Sequence, residues 1–193
     1  MPATLPRSLL ELLRALDAYQ GRIPLDRLAA HLEAASFSFE DVQAHAVFGD
    51  RTYRRNLLHH GPAYQALLLC WRNGQRSPIH DHRGSSCGVR VLRGVATETR
   101  FTLSPNGMIL ATSSRELAEG SVCASQDADI HQMSNLQAGG ADLVTLHVYS
   151  PPLATMTFFE QGAGSQLLPV DAALVDQDRP LSSRARRCLT SSA

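Results

Sequence analysis

The chain has no long hydrophobic run, no excess of either charge and few cysteines, and each shortage removes a class of protein. No apolar stretch reaches the roughly 18 residues that a membrane-crossing helix needs, so no span is expected. Lys plus Arg total 18 and Asp plus Glu total 18, which leaves no basic face for nucleic acid or anionic lipid and points to a small-molecule partner. The four cysteines, Cys70, Cys87, Cys123 and Cys188, show no C-x-x-C spacing. In a chain of 193 residues that reads as reduced thiols in the cytoplasm, not as a disulfide scaffold. There is no basic segment followed by an apolar block and a small-residue cleavage site, so no secretory leader is expected. No internal repeat is present either.

What remains is an ordinary globular composition, 44% hydrophobic and 19% charged, suited to one domain over residues 1–193. Residues 1–50 pattern as helix. Ser8 with Glu11 forms a capping-box signature, and Leu9, Leu12, Leu13 and Leu16 recur at helical spacing. A second helix is expected over residues 25–35, and Ser38 with Asp41 marks a third, short one. Residues 51–165 read as a barrel core. Short strand-like pieces fall at 66–71, 88–92, 96–103, 108–112, 121–124, 143–149 and 156–160. Turn signals separate many of them, among them Asn73-Gly74, Arg93-Gly94 and Asn106-Gly107. The fold class is therefore mainly β, an antiparallel sandwich or barrel with about three N-terminal helices. The Arg-rich tail, 181–193, reads as a solvated end.

Eight histidines are present. His31, His45, His59 and His60 need no role beyond surface or core. His80 and His82 stand two apart, which on a strand puts both imidazoles on one face, where they pack poorly but bind first-row metals well. Gly74, His80, His82, Cys87 and Gly94 match the spacing of the first cupin motif, G-x5-H-x-H-x4-E-x6-G, with Cys87 at the carboxylate position. Gly120, His131 and Asn135 echo the second motif, whose Pro and second Gly are missing. The chain thus resembles the cupins, which implies a double-stranded β-helix holding one metal on His80, His82 and His131. Three neutral imidazoles leave coordination positions open and the 2+ charge uncompensated, which suits an anionic, multidentate ligand with soft sulfur.

Residues 53–152 resemble the cysteine dioxygenase family, through Leu69-Cys70-Trp71, Ser77-Pro78-Ile79-His80-Asp81-His82, Ile130 to Asn135 and His147-Val148-Tyr149-Ser150-Pro151-Pro152. The resemblance implies iron(II) on the three histidines and oxidation of free L-cysteine by dioxygen to the sulfinic acid. It implies Arg55 as the grip on the substrate carboxylate, which a guanidinium meets with paired hydrogen bonds. Tyr53 would share Arg55's face, Arg54 would point away, and Tyr149 would be the active-site tyrosine, oriented by His147. Cys87 matches the cysteine that some members join to that tyrosine by a thioether. Related bacterial enzymes carry glycine there and Gly88 is adjacent, but the cupin spacing favours Cys87. Ser150-Pro151 matches a step that can be cis in the family. A monomer is expected. Three other readings stay open: a dioxygenase of another small thiol such as 3-mercaptopropionate, against which Arg55 argues; a metal- or ligand-binding cupin without catalysis; and a zinc or manganese isomerase or hydrolase.

Overall fold

Leucines at helical spacing need an apolar surface to cover. In the computed structural model, which describes residues 4–160 and 164–169, they find it on the back of a β-sheet. Helix α1 (Arg7–Asp17) buries Leu9, Leu12, Leu13 and Leu16, and α2 (Leu25–Ala34) buries Leu28 and Leu32. The capping box expected at Ser8 is not formed. The helix starts two residues earlier, with Pro6 in the N-cap position and no side-chain cap, so Ser8 lies inside the first turn and Glu11 pairs instead with Arg7 at 3.0 Å. The second box does form: Asp41 accepts the Ser38 backbone N–H at 2.8 Å ahead of α3 (Phe39–Val42). That helix is a single turn, followed by a 3-10 turn, Gln43–His45.

Among the described residues eleven strands follow, in chain order β1 (Arg54–His60), β2 (Gln65–Trp71), β3 (Ile79–His80), β4 (Ser86–Arg93), β5 (Ala96–Leu103), β6 (Ile109–Leu117), β7 (Val122–Gln126), β8 (Ile130–Ser134), β9 (Leu143–Ser150), β10 (Thr155–Glu160) and β11 (Gly164–Pro169). They form two antiparallel sheets, ordered β1-β2-β9-β4-β7 and β11-β10-β3-β8-β5-β6. Leu67, Val89 and Tyr149 of the first sheet share one core cluster with Met133 and Phe158 of the second, so the sheets face each other. This is the cupin double-stranded β-helix. The first sheet is apolar on both faces, because its back carries α1 and α2. All eight residues of β9 are buried for that reason.

The cupin-motif glycines sit where the chain reverses. Gly74, Gly94 and Gly120 all have φ near +85°, the left-handed region that favours glycine. The motif asparagine, Asn135, donates to the carbonyls of Trp71 (3.1 Å) and Ala141 (2.9 Å), tying the end of β8 to β2 and to the turn before β9. The Ser150–Pro151 peptide is cis. The tail at 181–193, with Cys188, lies outside the described residues.

Candidate active site

The three histidines meet inside the barrel. His80 on β3 is the cross-strand partner of His131 on β8. His82 lies two residues beyond His80 but outside the strand, which ends at His80, so strand alternation alone does not place it. Its position is fixed by its backbone N–H, which donates to Asp127 O at 3.0 Å. All three side chains are buried, and their potential ligand atoms lie within 4.8 Å of one another.

Each ring has one nitrogen occupied elsewhere. His80 Nδ1 meets Pro78 O at 2.9 Å, His82 Nδ1 meets Ser125 Oγ at 3.2 Å, and His131 Nδ1 meets Glu98 Oε1 at 3.2 Å. That leaves every Nε2 for the centre. The Nε2 of His82 is buried and has no hydrogen-bond partner, a costly condition that a metal ion would relieve. Burial, followed by the charge on His131, holds the His80 pKa down at about 3, and burial pushes His82 well below the usual range. Both rings are therefore neutral, as metal ligands must be. The donor set fits a first-row transition ion.

A small, narrow cavity opens at the triad, lined by all three histidines. Arg55 lines it, with its guanidinium carbon 5.6 Å from the centre of the Tyr149 ring. Arg54, its neighbour, is exposed. Tyr53 is buried within hydrogen-bonding reach of Arg55. Burial raises its pKa to about 12, against the opposing pull of the Arg55 charge. Tyr53 also stacks on Trp71, with centroids 4.0 Å apart and planes at 18°. Burial likewise pushes Tyr149 well above the usual tyrosine range, so it keeps its proton at neutral pH.

Cys87 and Tyr149 are direct cross-strand partners on β4 and β9, within hydrogen-bonding reach of each other. Gly88 faces the other way: a β-carbon there would come within 2.5 Å of Leu32 Cδ1 on α2. Cys87, not Gly88, is therefore the inward residue. His147 Nδ1 lies 3.1 Å from the Tyr149 hydroxyl. His31 and His59 sit elsewhere, beside Tyr19 and Asp17 respectively, and neither His45 nor His60 lines the cavity.

Comparison with known proteins agrees with this geometry. The family model for cysteine dioxygenase type I matches residues 2–162. The chain belongs to the cysteine dioxygenase family. It is 32% identical to cysteine dioxygenase type 1 of Rattus norvegicus and 31% identical to that of Homo sapiens, each over 165 residues covering 82% of both chains. Among solved structures, it is similar to a double-stranded β-helix protein of Klebsiella pneumoniae, with TM-score 0.48 and 17% identity over 71% of this chain and 93% of that one.

In this member of the cysteine dioxygenase family the structure adds residues that sequence reasoning missed. Glu98, on β5, is the carboxylate behind His131 and is itself held by Arg115 (Nη2 to Oε2, 2.6 Å). Burial works to raise its pKa, but its bonds to His131 and Arg115 and their charges overcome that and hold it at about 2. A signal for Glu98 existed: it alternates with Ala96 on the inward face of an expected strand. Thr145 and Ser125 gave none, because small hydroxyls are common in strands. Asp127 is a further support. Its carboxylate takes two bonds from Arg22 at 2.9 and 3.0 Å, so the α1–α2 loop is tied to the turn that carries the His82 contact.

Proposed function

We propose that the protein is an iron(II)-dependent cysteine dioxygenase of the cytoplasm that converts free L-cysteine and dioxygen to cysteine sulfinic acid. The balance is R–SH plus O2 giving R–SO2H: both oxygen atoms go to sulfur and the sulfinic acid keeps the proton. The observation that carries this reading is the presence, in one cavity, of three buried imidazoles and a guanidinium. Such a cavity suits a small molecule with sulfur at one end and a carboxylate at the other. Family membership supports the same chemistry, and the buried free thiols Cys70, Cys87 and Cys123 suit a reducing compartment.

Iron(II) held by His80, His82 and His131 would supply the one-electron chemistry dioxygen requires and a soft partner for the thiolate. The chain does the rest. Arg55 pairs with the substrate carboxylate, with Tyr53 steadying it, which fixes the distance from carboxylate to sulfur. Tyr149, protonated at neutral pH, offers a hydrogen bond where charge develops. His147 holds that hydroxyl in place. The apolar wall of Leu69, Met133 and Met156 limits water around the reacting atoms. Where Cys87 and Tyr149 become joined by a thioether, two hydrogen atoms are lost to dioxygen as oxidant, and the tyrosine is locked against β4.

The test is anaerobic purification, metal analysis, and oxygen uptake with a panel of small thiols. Iron content and cysteine-dependent uptake, with one dioxygen consumed per sulfinic acid formed, are the expected results. A strong preference for 3-mercaptopropionate would overturn the substrate. Turnover without oxygen would overturn the reaction class. Intact mass and a peptide map read the Cys87–Tyr149 bond directly.

A further inference from the structure

The three histidines are not held alike. His80 and His131 are ladder partners on β3 and β8, so paired strands set their backbones. His82 lies past the end of β3. Its backbone N–H and that of Arg83 both donate to one carbonyl, Asp127 O, at 3.0 and 3.2 Å, and its ring Nδ1 meets Ser125 Oγ at 3.2 Å. The third imidazole therefore stands where the end of β7 and the turn after it put it.

That turn needs holding. Asp127 has φ +52°, in the left-handed region that a non-glycine residue enters at a cost. The hold comes from Arg22, in the loop between α1 and α2. Its Nη1 and Nη2 donate to Asp127 Oδ1 and Oδ2 at 2.9 and 3.0 Å, fork to fork. Nη2 also reaches Gln126 Oε1 at 3.3 Å, and Nε donates to Ser86 Oγ at 3.0 Å. The backbone of Gly84 bonds the same Asp127 carboxylate. Ser86 is buried and opens β4, while Gln126 ends β7, so one guanidinium spans the ends of two neighbouring strands. The loop that carries Arg22 is itself fixed. Ile23 is buried, and its N–H donates to Ser150 Oγ at 2.9 Å, at the end of β9.

An ion pair with side chains 35% and 49% exposed adds little to stability on its own. Four bonds from one side chain to three residues fix a position instead. We propose that Arg22 is a positioning residue for the metal centre: by gripping Asp127 it fixes the carbonyl that carries the His82 backbone, and so sets where His82 Nε2 meets the ion. The N-terminal helices thus take part in the site as well as covering the sheet. The metal half of this proposal rests on the triad being the metal site of the function proposed above; the hold on His82 does not.

The test uses the full chain loaded with cobalt(II), whose absorption bands report ligand geometry, so neither iron oxidation nor turnover enters. Arg22→Gln should weaken cobalt affinity about tenfold in competition with a chromophoric chelator, the low end for a partner that orients a ligand. It should also shift the cobalt bands and speed amide exchange at His82 and Arg83 by about tenfold, with exchange in β9 unchanged. Arg22→Lys keeps the charge but not the fork and should fall between the two. Asp127→Asn tolerates the left-handed backbone and loses the charge, so it should behave like Arg22→Gln, and the double variant should be no worse than either single one. An Arg22→Gln protein with parental affinity, bands and His82 exchange would overturn the proposal even if it melted earlier, because the clamp would then only staple the loop. Additive losses in the double variant would overturn the route through Asp127. Should Arg22→Gln fail to fold, Asp127→Asn, which leaves Arg22 on Ser86, decides the matter by the same readings. A parent chain that takes up no cobalt would overturn the metal half, whereas one that binds cobalt as expected but does not oxidise cysteine would sink the proposed function and leave the clamp standing.

Discussion

Arg55 lines the cavity and Glu98 bonds His131 from behind, and they should fail differently. A guanidinium meeting a carboxylate through charge-assisted bonds contributes about 1.5–3 kcal/mol. Arg55→Gln should therefore raise KM for cysteine by roughly 10- to 100-fold while leaving the metal in place, as steady-state oxygen uptake and metal content would show. Glu98 does not line the cavity. It holds His131 by Nδ1 and is pinned by Arg115. Partners of this kind are worth about 10- to 100-fold in metal affinity. Glu98→Gln keeps the shape but removes the charge, so competition with a chromophoric chelator should show weaker metal binding by about that factor. An unchanged affinity would mean that Glu98 serves only to neutralise Arg115.

The element that joins fold to site is β4, because its two faces serve different masters. Cys87 points at Tyr149, and Gly88 at α2. A β-carbon on Gly88 would meet Leu32 Cδ1 at 2.5 Å and Leu28 Cγ at 2.9 Å, so α2 would have to move. Overpacking of this kind costs about 1–3 kcal/mol. Gly88→Ala should lower the urea midpoint accordingly without reducing metal affinity, since the triad lies on the far side of the sheet. Strands with apolar periodicity, such as β2, β5, β9 and β10, were legible in the sequence. β1 and β8 were not. β1 is rich in Arg and His because, among the described residues, it is an edge strand paired only with β2, and so need not be apolar. β8 has five residues, and its inward side chains include a histidine, so no hydrophobic alternation marks it. The site divides along the same line. His80, His82 and His131 could be read because their spacing within the chain is fixed. The Glu98–His131 contact and the Trp71–Thr145 bond could not, because they exist only once β5 lies beside β8 and β2 beside β9 in the observed register.

At the scale of the molecule, two apolar cores share the first sheet, one inside the barrel and one beneath the helices, and both bury thiols. Cys70 belongs to the helix side and Cys123 to the barrel side. Burial is the main reason each pKa stands at about 12. In the unfolded chain a thiol ionises near 8.5–9. Between about pH 9 and pH 12 the unfolded state therefore holds fewer protons than the folded one, and stability must fall as pH rises. Below about pH 9 both states are protonated and the contribution is fully present. At pH 10.5 the shift amounts to roughly 2–3 kcal/mol for each thiol. Tyr53, raised to about 12 by burial, adds to the loss with the same sign once unfolded tyrosine begins to ionise near 10. Urea denaturation under reducing conditions at pH 7.5 and pH 10.5 should show this drop. Cys123→Ala, though less stable at neutral pH, should lose less on going to alkaline pH. A variant that falls as steeply as the parent would mean that the Cys123 thiol already ionises in the folded protein, and that the barrel side of the first sheet is open to water.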